Sequence, residues 1–262
     1  MSGNNPWGVD LKIAETVGIV GVPPWEMMRE RIEKGDEIVD LDEPVPGFPV
    51  RDGYLPTNYC AILKRVVSNI FSLREAGRLH RVIACVGDDK CDGMRHIARW
   101  LSTATDIPVE RVRNDSASGY GTPICESHLP LRAKFELIVE GVFRTPRPPE
   151  PLRKAAPRCG FWGVPPADFD VLELFPDGTH VYGWTRCMEN KTPGDFELEC
   201  LVDPGVPTVF FVQSFCQKSA LAFNLAKKHG GLFVEVDSRL SRSARAKIEA
   251  FIRFNAAAAD TR

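Results

Sequence analysis

Gly18-Ile-Val-Gly-Val-Pro-Pro24 recurs 142 positions later as Gly160-Phe-Trp-Gly-Val-Pro-Pro166, and this repetition indicates how the chain is built. In each copy a short apolar run leads into a Pro-Pro turn, after which an acidic stretch can begin a helix. Continuous apolar strands that alternate with amphipathic helices are typical of parallel sheets covered on both faces. The sequence therefore predicts an α/β protein with two similar lobes.

A second pair of segments supports this prediction. The apolar run at 81–87 is followed by Cys91 and a predicted helix at 92–101, and the run at 208–213 is followed by Cys216 and a predicted helix at 217–228. Two Rossmann-like (flavodoxin-like) lobes with mainly parallel sheets explain the pattern. The lobes derive from a duplication, or they look alike only because βα units resemble one another.

A proline-rich stretch predicts the boundary between the lobes. Four prolines fall between residues 146 and 151, which excludes a helix or a central strand and favours an extended linker. We expect a first lobe at 1–143, a linker at 144–157 and a second lobe at 158–262. Further predicted elements are a helix at 57–76 capped by Thr57 or Asn58, strands at 108–112, 181–184 and 231–237, and a terminal helix at 241–254 with a frayed tail at 256–262.

Composition excludes several classes of protein. The 262 residues are 44% hydrophobic and 26% charged, which is ordinary for a globular protein and unlike a disordered chain. The formal net charge of -2 does not suggest a nucleic-acid partner. No apolar run is long enough to span a bilayer, and the polar start does not resemble a secretory signal. We therefore expect a cytoplasmic protein.

The eight cysteines need an explanation of their own. An even number is compatible with four disulfides, but that arrangement suits short secreted chains. Reduced thiols fit a chain that is long enough to build a core. They would be buried apolar residues, metal ligands or nucleophiles.

Three of these cysteines are placed alike. Cys60 falls in the first turn of the predicted 57–76 helix, while Cys91 and Cys216 each follow a strand and precede a helix. Helix N-termini carry partial positive charge, which lowers the pKa of a thiol, and the carboxyl ends of parallel strands form the ligand crevice of such sheets. We expect the three thiols to converge in the cleft between the lobes.

With these segments the chain resembles the 2-hydroxyacyl-CoA dehydratase and benzoyl-CoA reductase family of iron–sulfur proteins. The resemblance covers both halves in the same order and is most specific around Cys216 and in the last helix. The segments that carry it are Leu55-Pro-Thr-Asn-Tyr-Cys60, Lys90-Cys-Asp-Gly-Met-Arg95, 164–189, Phe211-Val-Gln-Ser-Phe-Cys216 and Lys247-Ile-Glu-Ala-Phe-Ile252.

The resemblance implies a function. In that family three cysteines bind an oxygen-sensitive [4Fe–4S] cluster whose fourth iron is open to substrate, and Cys60, Cys91 and Cys216 would be these ligands here. An ATP-hydrolysing iron–sulfur activator would donate a low-potential electron, and the substrate would be a CoA thioester or a related small molecule. A homologous second subunit or a homodimer is a further expected partner.

One departure from the family leaves alternatives open. Family members are longer between the second and third cysteines, where the missing region helps to form the acyl-CoA site. A shallower cleft would favour a smaller substrate or weak acyl-CoA affinity. The alternatives are a non-catalytic electron-transfer or cluster-assembly protein and, thirdly, a zinc protein.

Other residues are weaker candidates. Cys187 is either a fourth cluster ligand or a buried thiol. Glu126 and His128 lie in a polar, small-residue stretch at 115–130, which predicts a mobile loop over the cleft, and they are candidates for proton transfer. No complete phosphate-binding loop occurs, so ATP hydrolysis by this chain is not expected.

Overall fold

The structure, a computed structural model, describes residues 14–87, 91–116 and 118–259, with side chains to residue 255. Asp88 and Asp89, which precede Cys91, lie outside the described residues, as do the polar start and the end of the tail. Two four-stranded, all-parallel sheets form the two lobes. The predicted α/β class with two flavodoxin-like lobes is confirmed.

The two sheets share one topology. The first has the order β2-β1-β3-β4 and the second β6-β5-β7-β8, so each lobe places its first and third strands at the centre. The topological switch point, which lies between the two central strands, therefore occupies the equivalent position in each lobe. The strands are β1 (Thr16–Val20), β2 (Glu37–Asp40), β3 (Arg81–Cys85), β4 (Val109–Val112), β5 (Gly160–Gly163), β6 (His180–Tyr182), β7 (Thr208–Gln213) and β8 (Leu232–Val236).

Helices cover both faces of each sheet. A 3₁₀ helix at Phe169–Leu174 follows β5, at the place where α1 follows β1 in the first lobe. The α-helices are α1 (Trp25–Glu33), α2 (Ala61–Glu75), α3 (Asp92–Ala104), α4 (Leu131–Glu140), α5 (Trp184–Asn190), α6 (Phe196–Cys200), α7 (Ser219–His229) and α8 (Arg242–Ala259).

Several predicted boundaries differ from the structure, and three of the differences have a clear cause. The 57–76 helix begins only at Ala61, because residues 57–59 form a turn and Cys60 is the N-cap in place of Thr57 or Asn58. The predicted 181–184 strand ends at Tyr182, since Gly183 adopts a φ of 75° and α5 begins at the next residue. The last helix continues to 259 through an alanine run, which has the highest helix propensity.

Alternating side chains divide the interior into three cores. On β1 and β3, Val17 and Ile83 point to a central core between the lobes, while Val82 points to the outer core under α2 and α3. On β7, Phe211 points to the same central core and Phe210 to an outer core under α7. This two-residue alternation is what a sheet covered on both faces requires. The central core joins the lobes into one packed body.

Helix α4, which the sequence places in the first lobe, also contacts the second lobe. The ring of Phe135 lies 5.2 Å from that of Phe161 and 6.1 Å from that of Phe169. The proline-rich linker lies along the segment before α4, and a β-bridge joins the two segments at Ser127 and Lys154. Phe135 belongs to the central core that both lobes share.

Candidate metal centre between the lobes

A cavity of about 410 Å³ lies between the lobes at the carboxyl ends of the central strands. This volume falls in the roughly 300–1,000 Å³ range of small-molecule sites. The two copies of the repeated motif form facing walls, with Gly21 and Val22 on one side and Val164 and Pro165 on the other. Cys60, Cys91 and Cys216 all line this cavity.

Each thiol reaches the cavity from the start of a helix. Cys91 is the N-cap of α3, and its Sγ accepts a hydrogen bond from the Met94 N–H at 3.4 Å. Cys60 is the N-cap of α2. Cys216 lies in the turn between β7 and α7, where its N–H donates to the Gln213 carbonyl oxygen at 3.0 Å. The parallel topology thus delivers three thiols to one crevice.

The expectation of low thiol pKa values is wrong. Burial raises the pKa of Cys60 and of Cys91, and it raises the pKa of Cys216 to about 11. Backbone N–H groups at the helix starts lower these pKa values as expected, but burial has the larger effect. Ionisation of Cys60 or Cys91 would raise the pKa of Cys216 further, because like charges repel. Without a metal ion these groups are thiols at neutral pH.

The second lobe has no counterpart to Cys60. In the second lobe the helix after the second strand is α5, and its N-cap is Gly183. A Cβ built on Gly183 would lie 2.8 Å from the Trp162 ring, and its φ of 75° also disfavours any side chain. The next residue, Trp184, lines the cavity. The cavity wall therefore has three thiols, and Gly183 supplies no fourth.

Cys187 is a buried thiol. Its side chain is 1% exposed, and its Sγ donates a hydrogen bond to the Asp195 carbonyl oxygen at 3.6 Å. Burial raises the pKa of Cys187 to about 12. It does not appear in the cavity wall, whereas Trp184 and Met188, its neighbours on α5, do. The structure offers no support for Cys187 as a fourth ligand.

Three carboxyl groups share the cavity wall, and the sequence did not single them out. Asp40 is the last residue of β2, and Asp42 and Glu43 follow it. The Gly21 N–H donates to Asp42 Oδ2 at 2.6 Å, and Glu43 Oε2 lies 3.9 Å from the Arg65 guanidinium. Burial raises the pKa of Asp42 to about 6 and of Glu43 to about 7. Their place at the carboxyl edge of the sheet, which forms the crevice, can be found only once β2 is recognised as a strand.

An ion pair also lines the cavity. The Lys218 ammonium contacts the Glu199 carboxylate and lies 4.7 Å from the centre of the Trp184 ring. A hydrogen bond joins the two lobes next to Lys218: the Asp92 N–H donates to Gln217 Oε1 at 3.1 Å. The residues after Cys91 and Cys216 are thus tied together, which fixes the two thiols relative to each other.

Glu126 and His128 lie elsewhere. Glu126 contacts Arg186 and Lys154, each at 2.7 Å. Burial alone would raise the pKa of Glu126, but the two cations together lower it below its usual value. His128 Nε2 lies 2.9 Å from Glu150 in the linker. Neither residue lines the cysteine cavity. The prediction of a mobile loop at 115–130 is also wrong for its second half, because Cys125 and Ser127 are completely buried.

The donor set fits an iron–sulfur cluster. No group of three or more His, Cys, Asp or Glu within the described ranges is arranged to hold a metal ion. A cluster is held by thiolates that bind different irons, so its ligands stand farther apart than those of one shared ion. Cys60, Cys91 and Cys216 bring three groups of this ligand type to one cavity. No disulfide links any of the eight cysteines, all of which are described.

Among the described residues, no helix has the length and apolar character needed to cross a membrane. A scan against models of known protein families and a search of curated proteins both found no match for this chain.

Proposed function

We propose that this chain is an iron–sulfur protein in which Cys60, Cys91 and Cys216 bind one [4Fe–4S] cluster, and that it reduces a small substrate at the iron without a protein ligand. The observation that carries the proposal is the meeting of these three thiols in one cavity between the lobes. Their resemblance to the cysteines of the dehydratase and reductase family supports it. An ATP-hydrolysing activator would donate the electron.

The asymmetry of the site supports an open iron. Two thiols come from equivalent places after β3 and β7, and a third comes from the start of α2. The equivalent N-cap in the second lobe is Gly183, where a side chain would meet the Trp162 ring, so this position supplies no fourth thiol. A site with three protein ligands leaves one position for substrate, as in catalytic metal sites generally.

The protein's own groups would have defined tasks. The cluster, when bound, would supply low-potential electrons. The walls formed by Trp184, Met188 and Leu221 would exclude water from a reactive radical. Glu43, whose pKa is raised to about 7 by burial, is suited to hold a proton near the cavity at neutral pH. These tasks replace those expected for Glu126 and His128.

The alternative is a protein that carries electrons without binding a substrate. It is favoured by the exposure of the rim, because Phe215, beside Cys216, is 61% exposed. An exposed aromatic residue next to a redox centre suits the docking of a protein partner. Phe215 also has a φ of 64°, a strained conformation that is common at functional sites.

Anaerobic purification followed by iron, sulfide and EPR measurements tests the proposal. We expect about four irons and four sulfides per chain, with loss of the absorbance in air because one iron is exposed to oxidants. Zinc without sulfide would contradict it. Turnover of a small substrate with an activator would then separate the enzyme from the carrier, which would exchange electrons but leave every substrate unchanged.

A further inference from the structure

Strand β2 forms an edge of the first sheet. It pairs with β1 on one side, where the N–H of Leu41, just past the strand, donates to the Ile19 carbonyl oxygen at 2.9 Å. Because the backbone groups of a strand alternate between its two sides, those of Ile38 and Asp40 point away from β1. Neither residue has a backbone hydrogen-bond partner among the described residues. The outer side of β2 therefore offers unpaired N–H and C=O groups to another strand.

A groove of about 950 Å³ lies along this open edge. All four residues of β2 line it, and α4 and residues 167–170 form its other side. Its apolar lining includes Val45, Val139, Phe143 and Phe169. A strand rises about 3.3 Å per residue, so β2 presents an edge about 13 Å long. The groove thus gives an added strand both room and apolar contacts.

The equivalent edge of the second lobe is covered. The registers of the two lobes match at the first glycine of the repeated motif, which pairs with the residue before Asp40 in β2 and before Val181 in β6. The His180 N–H donates to the Cys159 carbonyl oxygen, so the Val181 N–H points outward, and it donates to the Cys125 carbonyl oxygen at 3.1 Å. A backbone segment thus occupies this edge in the second lobe, whereas no described segment does so in the first.

The charge around the groove indicates which kind of segment fits. Burial raises the pKa of Asp40 and of Glu43, so their negative charge does not count here. The other carboxyl side chains that line the groove, against three arginines, are Glu37, Glu136, Glu140, Asp168 and Asp170. Arg132 is engaged by two of these carboxylates, Glu136 and Asp170. The surplus negative charge attracts a basic segment and repels a second copy of the same groove.

We propose that β2 binds an extended basic segment of a partner protein, which adds a fifth strand to the first sheet along this groove. The segment's backbone pairs with Ile38 and Asp40, and its apolar side chains contact Val139 and Phe169. Strand addition of this kind takes its affinity from backbone hydrogen bonds and its specificity from alternate side chains. The proposal is independent of the cluster, because none of the eight cysteines, all of which are described, lines the groove.

Amide hydrogen exchange of the full chain, followed for each residue by NMR, tests the pairing. The probe is the blocked peptide acetyl-Lys-Val-Lys-Val-Lys-Val-amide. In the free chain the amides of Ile38 and Asp40 should exchange faster than those of Val39 and Leu41, which face β1. At saturation the peptide should slow the exchange of Ile38 and Asp40 at least about tenfold, because their N–H groups become hydrogen-bonded.

Three further peptides are matched controls for calorimetric titration. Two carry backbone N-methyl groups, one on its three valines and the other on its three lysines. Because the amides of an extended chain alternate between its two edges, one of these peptides should bind at least about tenfold more weakly than the parent and the other as tightly. The acidic peptide acetyl-Glu-Val-Glu-Val-Glu-Val-amide should also bind at least about tenfold more weakly.

Two variants locate the effect on β2. Ile38→Pro removes an N–H that points outward, a change that an edge strand tolerates, and should weaken peptide binding. Ile38→Val keeps that N–H and should bind the peptide as the wild-type chain does. The peptide series needs no variant, so it tests the proposal even where Ile38→Pro does not fold.

Four results would overturn the proposal. They are unchanged exchange of Ile38 and Asp40 with the peptide, equal affinities of the two N-methylated peptides, binding of the acidic peptide as tight as that of the basic one, and slow exchange of both amides in the free chain. In the last case, protection that disappears on dilution would assign the edge to a second copy. Protection at every concentration would show that the chain itself covers the edge.

Discussion

Lys134 on α4 provides a sharp test of the packing between α4 and the second lobe. Its side chain is completely buried, and its ammonium donates hydrogen bonds to the carbonyl oxygens of Thr179 at 2.6 Å and Cys125 at 3.3 Å. Burial lowers the pKa of Lys134 from 10.5 to about 8. Above that pH the folded chain releases a proton that the unfolded chain still holds.

The sign of the effect on stability follows from this difference. Between pH 8 and 10.5 the unfolded state binds more protons at residue 134, so Lys134 makes the free energy of unfolding rise with pH. This difference between the folded and unfolded pKa values of Lys134 changes the free energy of unfolding by about 3 kcal/mol in total. About 2 kcal/mol of that change falls between pH 7.5 and 10. Other groups titrate in the same range, so the test is the difference between the wild-type chain and Lys134→Met.

Urea denaturation with a reductant, at several pH values, measures this difference. We expect the wild-type chain to gain about 2 kcal/mol relative to Lys134→Met from pH 7.5 to 10. Lys228→Met, on the surface of α7, should run parallel to the wild-type chain at every pH. Parallel curves for wild type and Lys134→Met would show that Lys134 is not buried as described, and the placement of α4 would fall with it.

Three further changes test the site and the core. Gly183→Ala should lower the free energy of unfolding, measured by urea denaturation, by more than about 2 kcal/mol, because the new methyl group meets the Trp162 ring. Gly230→Ala, also at positive φ but in open space, should lower it by only about 1 kcal/mol. Equal losses in the two variants would contradict the clash. Cys187→Ala should leave the iron content unchanged, and a loss of iron would make it a ligand. Phe135→Ala should lower the free energy of unfolding by about 3–5 kcal/mol, and Phe135→Leu by much less. Small and equal losses in both variants would show that α4 does not pack on the Phe161 ring.

Much of the fold follows from local patterns in the sequence. The repeated apolar run and Pro-Pro turn predict two parallel sheets because each strand is continuous and buried on both faces. Thr208–Gln213 is a strand with the predicted bounds for this reason. The edge strand β2 is missed, since its residues Glu37–Asp40 are half-exposed and half acidic. A short edge strand lacks the apolar signal on which such predictions depend.

The site was less predictable than the fold. The three cysteines can be chosen from their positions at helix starts, since those positions share one edge of a parallel sheet. Their pKa values cannot be predicted in this way, because the burial of the thiols outweighs the effect of the helix N-termini. Glu126 illustrates a second limit: its neighbours in sequence suggest an exposed loop, but Arg186, 60 residues away, determines where it lies. Contacts of this range have no local signature.

The iron content of matched cysteine variants tests the central claim most directly. Cys60→Ser, Cys91→Ser and Cys216→Ser would be compared, after anaerobic purification, with Cys200→Ser, a half-exposed cysteine outside the cavity wall. Circular dichroism would confirm that each variant folds. We predict that the first three each lose most of the iron and sulfide, while Cys200→Ser keeps the wild-type content. Wild-type iron in all three cavity variants would contradict the claim that this cavity holds a cluster.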